Sequence, residues 1–266
     1  MLQVIEPIWT IKTETATRVR GRIEAVLDFA TARGWRQDDN PARWKGLLDK
    51  VLPAPQKVRK TQHHKAMPID DVPGFCKVLA SMDGMAAQAL RLLILTATRS
   101  GEVRGARWDE FDLAAGVWTI PPERMKAAVE HRVPLSRQAM KLLARVPRLD
   151  GDDAGLLFPA ARGAGAMSDM AMTQLMRKRG LDCVPHGFRS TFRDWAGDCT
   201  HYPRELVETA LAHTVGNKVE AAYRRKDALE RRRPLMQDWA DFVEANPLVA
   251  KKASPIRAKP SRAAPA

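Results

Sequence analysis

Four stretches of this sequence join ionisable or nucleophilic side chains to a structured setting. Thr98-Arg99-Ser100-Gly101-Glu102 follows a strongly apolar segment. An arginine there is costly unless it is paired or serves an anion. The plain alternative is a helix-terminal arginine bonded to Glu102, three residues on. Met125-Lys126 stands in a polar connection between two β-rich segments, where an ordinary turn lysine fits equally. His186-Gly187-Phe188-Arg189 follows Pro185. A spacing of three puts His186 and Arg189 on one face at a helix N-terminus, where backbone N–H groups and the dipole favour an anion. A capping histidine beside a surface arginine reads the same way. His213, after Leu211-Ala212, is followed by Tyr223 within Ala221-Ala222-Tyr223-Arg224-Arg225. A phenol with its ordinary pKa of about 10 is a poor nucleophile, and neighbouring cations favour the phenolate. The alternative for Tyr223 is a half-buried amphipathic residue. That alternative is the reading for Tyr202, the other tyrosine, which precedes Pro203 in a loop.

Taken together, two arginines, a lysine, two histidines and a tyrosine make a phosphate site without a carboxylate cluster. Such a set suits phosphoryl transfer by electrostatic clamping and acid–base catalysis, with a side-chain nucleophile. It calls for no metal and no cofactor. His63-His64 has no further ligand nearby, and Cys76, Cys183 and Cys199 lack zinc or redox spacing. They read as reduced, buried thiols of a cytoplasmic protein.

The elements that must position these groups are mostly helices. Residues 13–33 read as a helix capped by Thr13 or Thr15 and ended by Gly34, with Val19, Ile23, Val26, Leu27 and Ala30 on one face. A short helix over 41–52 is expected next. Met1 to Thr10 carry no helix signature. Pro53 to Pro68 read as a linker. Beyond it, helices are expected near 70–82, 84–98, 136–146, 168–179, 186–199, 203–212, 217–225 and 228–244. Short strands at 117–121 and 132–135 and an extended piece at 156–158 complete the pattern. The fold class is mainly α, with a small antiparallel β-sheet.

The 266 residues carry 44 Lys and Arg against 31 Asp and Glu, a net charge of +13. That balance fits a nucleic-acid partner, and fits equally a basic protein of Arg- and Ala-rich composition. At 45% hydrophobic and 28% charged, the chain can bury a core. No apolar run approaches the roughly 18 residues of a membrane span, and no secretory leader opens the chain. The linker gathers Lys57, Arg59, Lys60 and Lys65, either as a solvated tether or as a basic strap along a phosphate backbone. Arg18 and Arg22 lie together on the first long helix. Residues 246–266 are rich in Ala, Pro, Lys, Arg and Ser, and disorder is expected there.

In order and in context the six groups resemble the tyrosine recombinases, the phage integrase family. That family's pattern is Arg, Lys on a β-turn, His-x-x-Arg, His or Trp, then Tyr. Arg99, Lys126, His186, Arg189, His213 and Tyr223 occur here in that order, with Arg107-Trp108-Asp109 after the first arginine and Leu-Ala before His213. The resemblance is nearest to integrases of satellite phages and genomic islands. It implies that Tyr223 attacks a DNA phosphodiester to form a 3′-phosphotyrosyl link. Arg99 and Arg189 would hold the non-bridging oxygens, and Glu102 would orient Arg99. Lys126 would protonate the leaving 5′-oxygen, His186 would act as acid/base, and His213 would bond the phosphate.

The resemblance also implies a partial core-binding domain over 1–52, a basic linker over 53–68, a catalytic domain over 69–245 and a tail over 246–266. The chain would begin inside the core-binding domain. Its partners would be double-stranded DNA at att-type sites, three further copies in a tetramer, and accessory DNA-bending proteins, with no membrane. The helix over 228–244 would dock on a neighbouring copy or on its own domain. Two other readings use the same residues: a DNA-binding remnant without catalysis, and relaxation of DNA in the manner of a type IB topoisomerase.

Overall fold

The computed structural model describes residues 1–58, 65–148, 155–160, 165–213 and 228–245. The expected helix at 217–225, the tail, and with them Tyr223, Arg59 and Lys60, lie outside the described residues. The chain divides into two compact units, Met1–His63 and His64–Ala266.

The first unit opens with helix α1 (Leu2–Trp9), where no helix is expected from the sequence. Pro7 interrupts the pattern, since its nitrogen cannot donate within the helix. Ile5 and Trp9, four apart, nevertheless make one buried face. Trp9 stacks on Trp44 with ring centroids 5.4 Å apart, and its Nε1 donates to the Pro53 carbonyl at 2.9 Å. Helix α2 (Thr13–Ala32) follows as expected, and Gly34 ends it with φ 72°. Its buried residues are Thr13 and Ala16, so the apolar face expected to pack is only half covered. Val26 is 66% exposed and Phe29 53%.

The expected 41–52 helix is replaced by turns and one 3-10 turn, Leu48–Lys50. The Asn40 Oδ1 accepts the Ala42 N–H at 2.9 Å, and a Glu24 carboxylate oxygen accepts that of Trp44 at 3.2 Å. The Asn40 bond is an ordinary N-cap, but Gly46 turns the chain at φ 81°, and the Leu48 and Asp49 N–H groups donate five residues back, to Arg43 and Trp44, so no α-helix propagates. Helix α3 (Pro55–Val58) is a single turn that carries the exposed Lys57.

The second unit is built around helix α5 (Met85–Thr96), in which Ala87, Ala89, Leu90 and every residue from Leu92 to Thr96 are buried. A helix apolar on all sides must be surrounded. Helices α4 (Val72–Ala80), α7 (Arg137–Leu143) and α8 (Ala171–Lys178) pack on it. The final helix, α11 (Leu229–Val243), does so as well. Its Trp239 is fully buried, donates to the Ile94 carbonyl at 2.7 Å and packs against Phe192, Trp195 and Phe242. This helix packs on its own domain.

Between these helices lie α6 (Ser100–Arg104) and a three-stranded antiparallel sheet, β1 (Phe111–Asp112), β2 (Val117–Ile120) and β3 (His131–Pro134), in that order. Two strands are expected from the sequence. The third, β1, is only two residues long and too short to show alternation. β2 and β3 pair from Val117 with Pro134 to Ile120 with His131, so residues 121–130 form the connection that carries Lys126. Helices α9 (Gly187–Cys199) and α10 (Arg204–Ala210) complete the unit. Of the three thiols only Cys76 is buried, its pKa pushed up to about 12 by that burial, while Cys183 is half-buried and Cys199 is exposed.

Candidate active site

The site is built where helices end. α5 stops because Ala97 takes the left-handed conformation, φ 51° and ψ 26°. Its carbonyl is thereby left free for a side-chain donor. The chain leaves extended through Arg99, with φ −81° and ψ 151°, and then enters α6. Glu102, 4% exposed, accepts the Arg99 backbone N–H at 2.7 Å and its Nη1 at 2.8 Å. One carboxylate therefore caps α6 and holds the guanidinium. The pairing expected as the plain alternative is present, and it leaves the Arg99 side chain 23% exposed.

α10 ends in the same manner. Ala212 stands at φ 48°, and its carbonyl accepts from Arg99 Nη2 at 3.4 Å. The Leu211 carbonyl accepts from Arg189 Nη2. Arg189 projects from the first turn of α9 and is 4% exposed, so the reading of a surface arginine is overturned. Its Nη1 donates to the Ala97 carbonyl at 2.6 Å, and its Nη2 lies 3.1 Å from His213 Nε2. The ends of α5 and α10 thus hold the two guanidinium groups beside one another. Burial, reinforced by the positive charge of Arg99, lowers the Arg189 pKa to about 10; Glu102 and Glu208 oppose the shift. The group stays cationic at neutral pH. His213 Nδ1 lies 2.6 Å from Glu208 Oε2.

Lys126 is exposed on the β2–β3 connection, directly after Met125, which is 7% exposed and anchors it. Arg124 fixes the base of this connection. It bonds the Glu110 carboxylate and the Glu102 carbonyl, and Glu110 also accepts from Trp118 Nε1 at 2.9 Å. The hairpin that carries Lys126 is therefore tied to the helix that carries Arg99 and Glu102. His186 is exposed at the N-cap of α9. A Cβ at Gly187 would meet the Lys65 carbonyl oxygen at 2.3 Å, so only glycine lets the incoming chain cross this helix start.

Arg189, His213 and Arg99 are brought together; Lys126 and His186 stand on elements bonded to that cluster. Tyr223 is outside the described residues. Tyr202 donates to Asp238 at 2.7 Å, and desolvation and that bond raise its pKa to about 12. It is thereby a poorer nucleophile still. Of the basic residues expected to line DNA, Arg18 pairs with Glu14 at 2.5 Å, Lys65 pairs with Asp182, and Arg22 and Lys57 are exposed. Among the described residues no group of three or more His, Cys, Asp or Glu could hold a metal ion.

Sequence reasoning missed Arg124, Glu110, Glu208 and His131. His131 opens β3, is 6% exposed, and its Nε2 has no hydrogen-bond partner. Burial and then the charge of Arg232 push its pKa down to about 4. Arg124, Glu110 and His131 meet partners well away along the chain, while Glu208 is five residues from His213, outside the i+3 and i+4 spacings that helix patterns mark.

The unit is thus helical with a small inserted sheet, and two of its arginines converge beside a histidine. The profile of the phage integrase family matches residues 67–230, and that of the phage integrase central domain matches residues 1–47. The chain belongs to the phage integrase family. It is 35% identical over 256 residues to the integrase of Enterobacteria phage P4, covering 88% of this chain and 56% of that protein. To the prophage integrase IntZ of Escherichia coli K12 it is 33% identical over 246 residues, covering 91% and 58%. The chain thus spans somewhat over half the length of these relatives. Among solved structures it is similar to a lambda integrase tetramer bound to a Holliday junction, with TM-score 0.53 and 15% identity, covering 81% of this chain and 60% of that one. It is also similar to the Tn1549 transposon integrase with circular intermediate DNA, with TM-score 0.51 and 15% identity, covering 80% and 79%. At such identity these two likenesses establish the fold.

Proposed function

We propose that this chain cleaves and rejoins DNA as a site-specific recombinase, integrating or excising a mobile element. The observation that carries the reading is the convergence of Arg99 and Arg189, each held through backbone carbonyls, beside His213. Two guanidinium groups so placed suit the two non-bridging oxygens of one phosphodiester. Tyr223 Oη attacks phosphorus as the bond to the 5′-oxygen breaks, giving a 3′-phosphotyrosyl link and a 5′-hydroxyl. The phenolic proton passes to His186, and Lys126 protonates the leaving oxygen. The bond energy is conserved in the phosphotyrosine, so rejoining needs no cofactor.

Double-stranded DNA is the proposed partner, with Arg18, Arg22, Lys57, Arg59, Lys60 and Lys65 contributing sequence-independent phosphate contacts. The related lambda integrase has been seen as a tetramer on a Holliday junction. We extend that assembly to this chain, with accessory DNA-bending proteins and a cytoplasmic location. No described helix is long and apolar enough to cross a membrane.

The test uses nicked duplexes tiled across the DNA that flanks the protein's own coding sequence. A nick beside the scissile phosphate lets the short 5′-hydroxyl strand diffuse away and traps the covalent complex. An adduct that resists denaturation and is lost in Tyr223→Phe is expected. DNA binding without any adduct would instead establish a non-catalytic binding protein, and relaxation of a single supercoiled plasmid would point to topoisomerase-like action.

A further inference from the structure

Glu208 belongs to none of the six groups, yet it touches one of them. It lies on α10 five residues before His213, and its side chain is only 14% exposed. Its Oε2 is 2.6 Å from His213 Nδ1, while His213 Nε2 is 3.1 Å from Arg189 Nη2. The arginine can only donate. Nε2 therefore accepts, and Nδ1 bears the proton that the carboxylate receives. The ring is fixed in both plane and tautomer by an anion on one side and a cation on the other.

We propose that Glu208 is a positioning residue for strand cleavage, acting through His213. This rests on the recombinase reading above. A carboxylate behind a histidine sets which nitrogen faces the reacting group. Here it aims Nε2 at the place where Arg189 meets the phosphate. When a phosphate oxygen takes over the Arg189 N–H, Nε2 can bond that oxygen only by taking up a proton from solvent. Glu208 then supplies the counter-charge for a ring that donates from both nitrogens. The other charged groups about this ring are Arg189 itself, Arg99 through the neighbouring Ala212 carbonyl, and Arg204, which lies 3.9 Å from Glu208.

Two measurements on the full chain test this. The first is nitrogen-15 NMR of the His213 ring without DNA. The wild type should show the Nδ1–H tautomer, and Glu208→Leu should lose it; an Nε2–H ring in the wild type would overturn the proposal whatever the activity. The second is a double-mutant cycle on adduct formation. Glu208→Leu should slow cleavage by on the order of tenfold or more, with DNA affinity changed less than about twofold. Glu208→Gln, which keeps an acceptor but not the counter-charge, should recover only part of the rate. In a His213→Ala background the Glu208→Leu change should have almost no further effect. Additive losses, or a wild-type rate in Glu208→Leu, would refute the coupling. If the wild type forms no adduct, the recombinase reading fails, and the tautomer measurement still decides whether Glu208 sets the ring.

Discussion

The guanidinium of Arg189 donates to the carbonyl of Ala97 at 2.6 Å, and Ala97 frees that carbonyl by standing at φ 51°. Ala212, the second alanine in this strained region at the site, offers its carbonyl to Arg99. Left-handed backbone at a residue with a Cβ costs about 1–2 kcal/mol. That cost is borne where two helix ends turn their last carbonyls toward the arginines, in keeping with the tendency of strain to collect at functional sites.

Replacing Arg189 with Lys should therefore fail on two counts. A point ammonium cannot serve two carbonyls, a ring nitrogen and a phosphate in one plane. A buried carbonyl left without its donor costs about 1–3 kcal/mol. The variant should unfold at lower urea and lose adduct formation by about a hundredfold or more, with duplex binding largely kept. Adduct yield at wild-type level would show that charge alone suffices.

His131 ties stability to pH. Free histidine takes up a proton at about 6.5, whereas His131 does so only at about 4, because it is buried. Between these values the unfolded chain binds more protons, so stability falls as pH falls through the window and levels off below it. The loss should approach about 3 kcal/mol at about 1.4 kcal/mol per pH unit. Urea unfolding at several pH values checks it, and His131→Leu should flatten that part of the profile.

Gly187→Ala should destabilise the second unit. The new methyl would lie 2.3 Å from the Lys65 carbonyl oxygen, and backbone cannot yield as a flexible side chain does. An overpacking cost of about 1–3 kcal/mol is expected, read as a lowered melting temperature. Because His186 stands at the N-cap position of the same helix, adduct formation should fall too.

The two tyrosines should separate cleanly. Tyr223→Phe should abolish the covalent adduct. Tyr202→Phe should keep it, losing only the bond to Asp238 and less than about 1 kcal/mol of stability. Gel analysis of DNA-linked protein tells the two outcomes apart.

Residue type and order along the chain single out Arg99, Lys126, His186, Arg189, His213 and Tyr223, of which the structure brings Arg99, Arg189 and His213 together, and local periodicity is enough to mark α2, α5, α9 and α11. Both signals are carried within a few residues. Helix α1 escapes because Pro7 breaks the pattern, and the 41–52 helix is not formed because the left-handed Gly46 interrupts it. Tertiary structure alone decided that Arg189 is buried, that Arg124 and Glu110 moor the Lys126 hairpin to α6, and that Glu208 stands behind His213. It also decided that α11 covers α5 of its own domain. One reason covers all but Glu208, whose partner is only five residues on. A partner many positions away leaves no trace in spacing, and a carbonyl becomes an acceptor for a side chain only when the fold has ended its helix at that point.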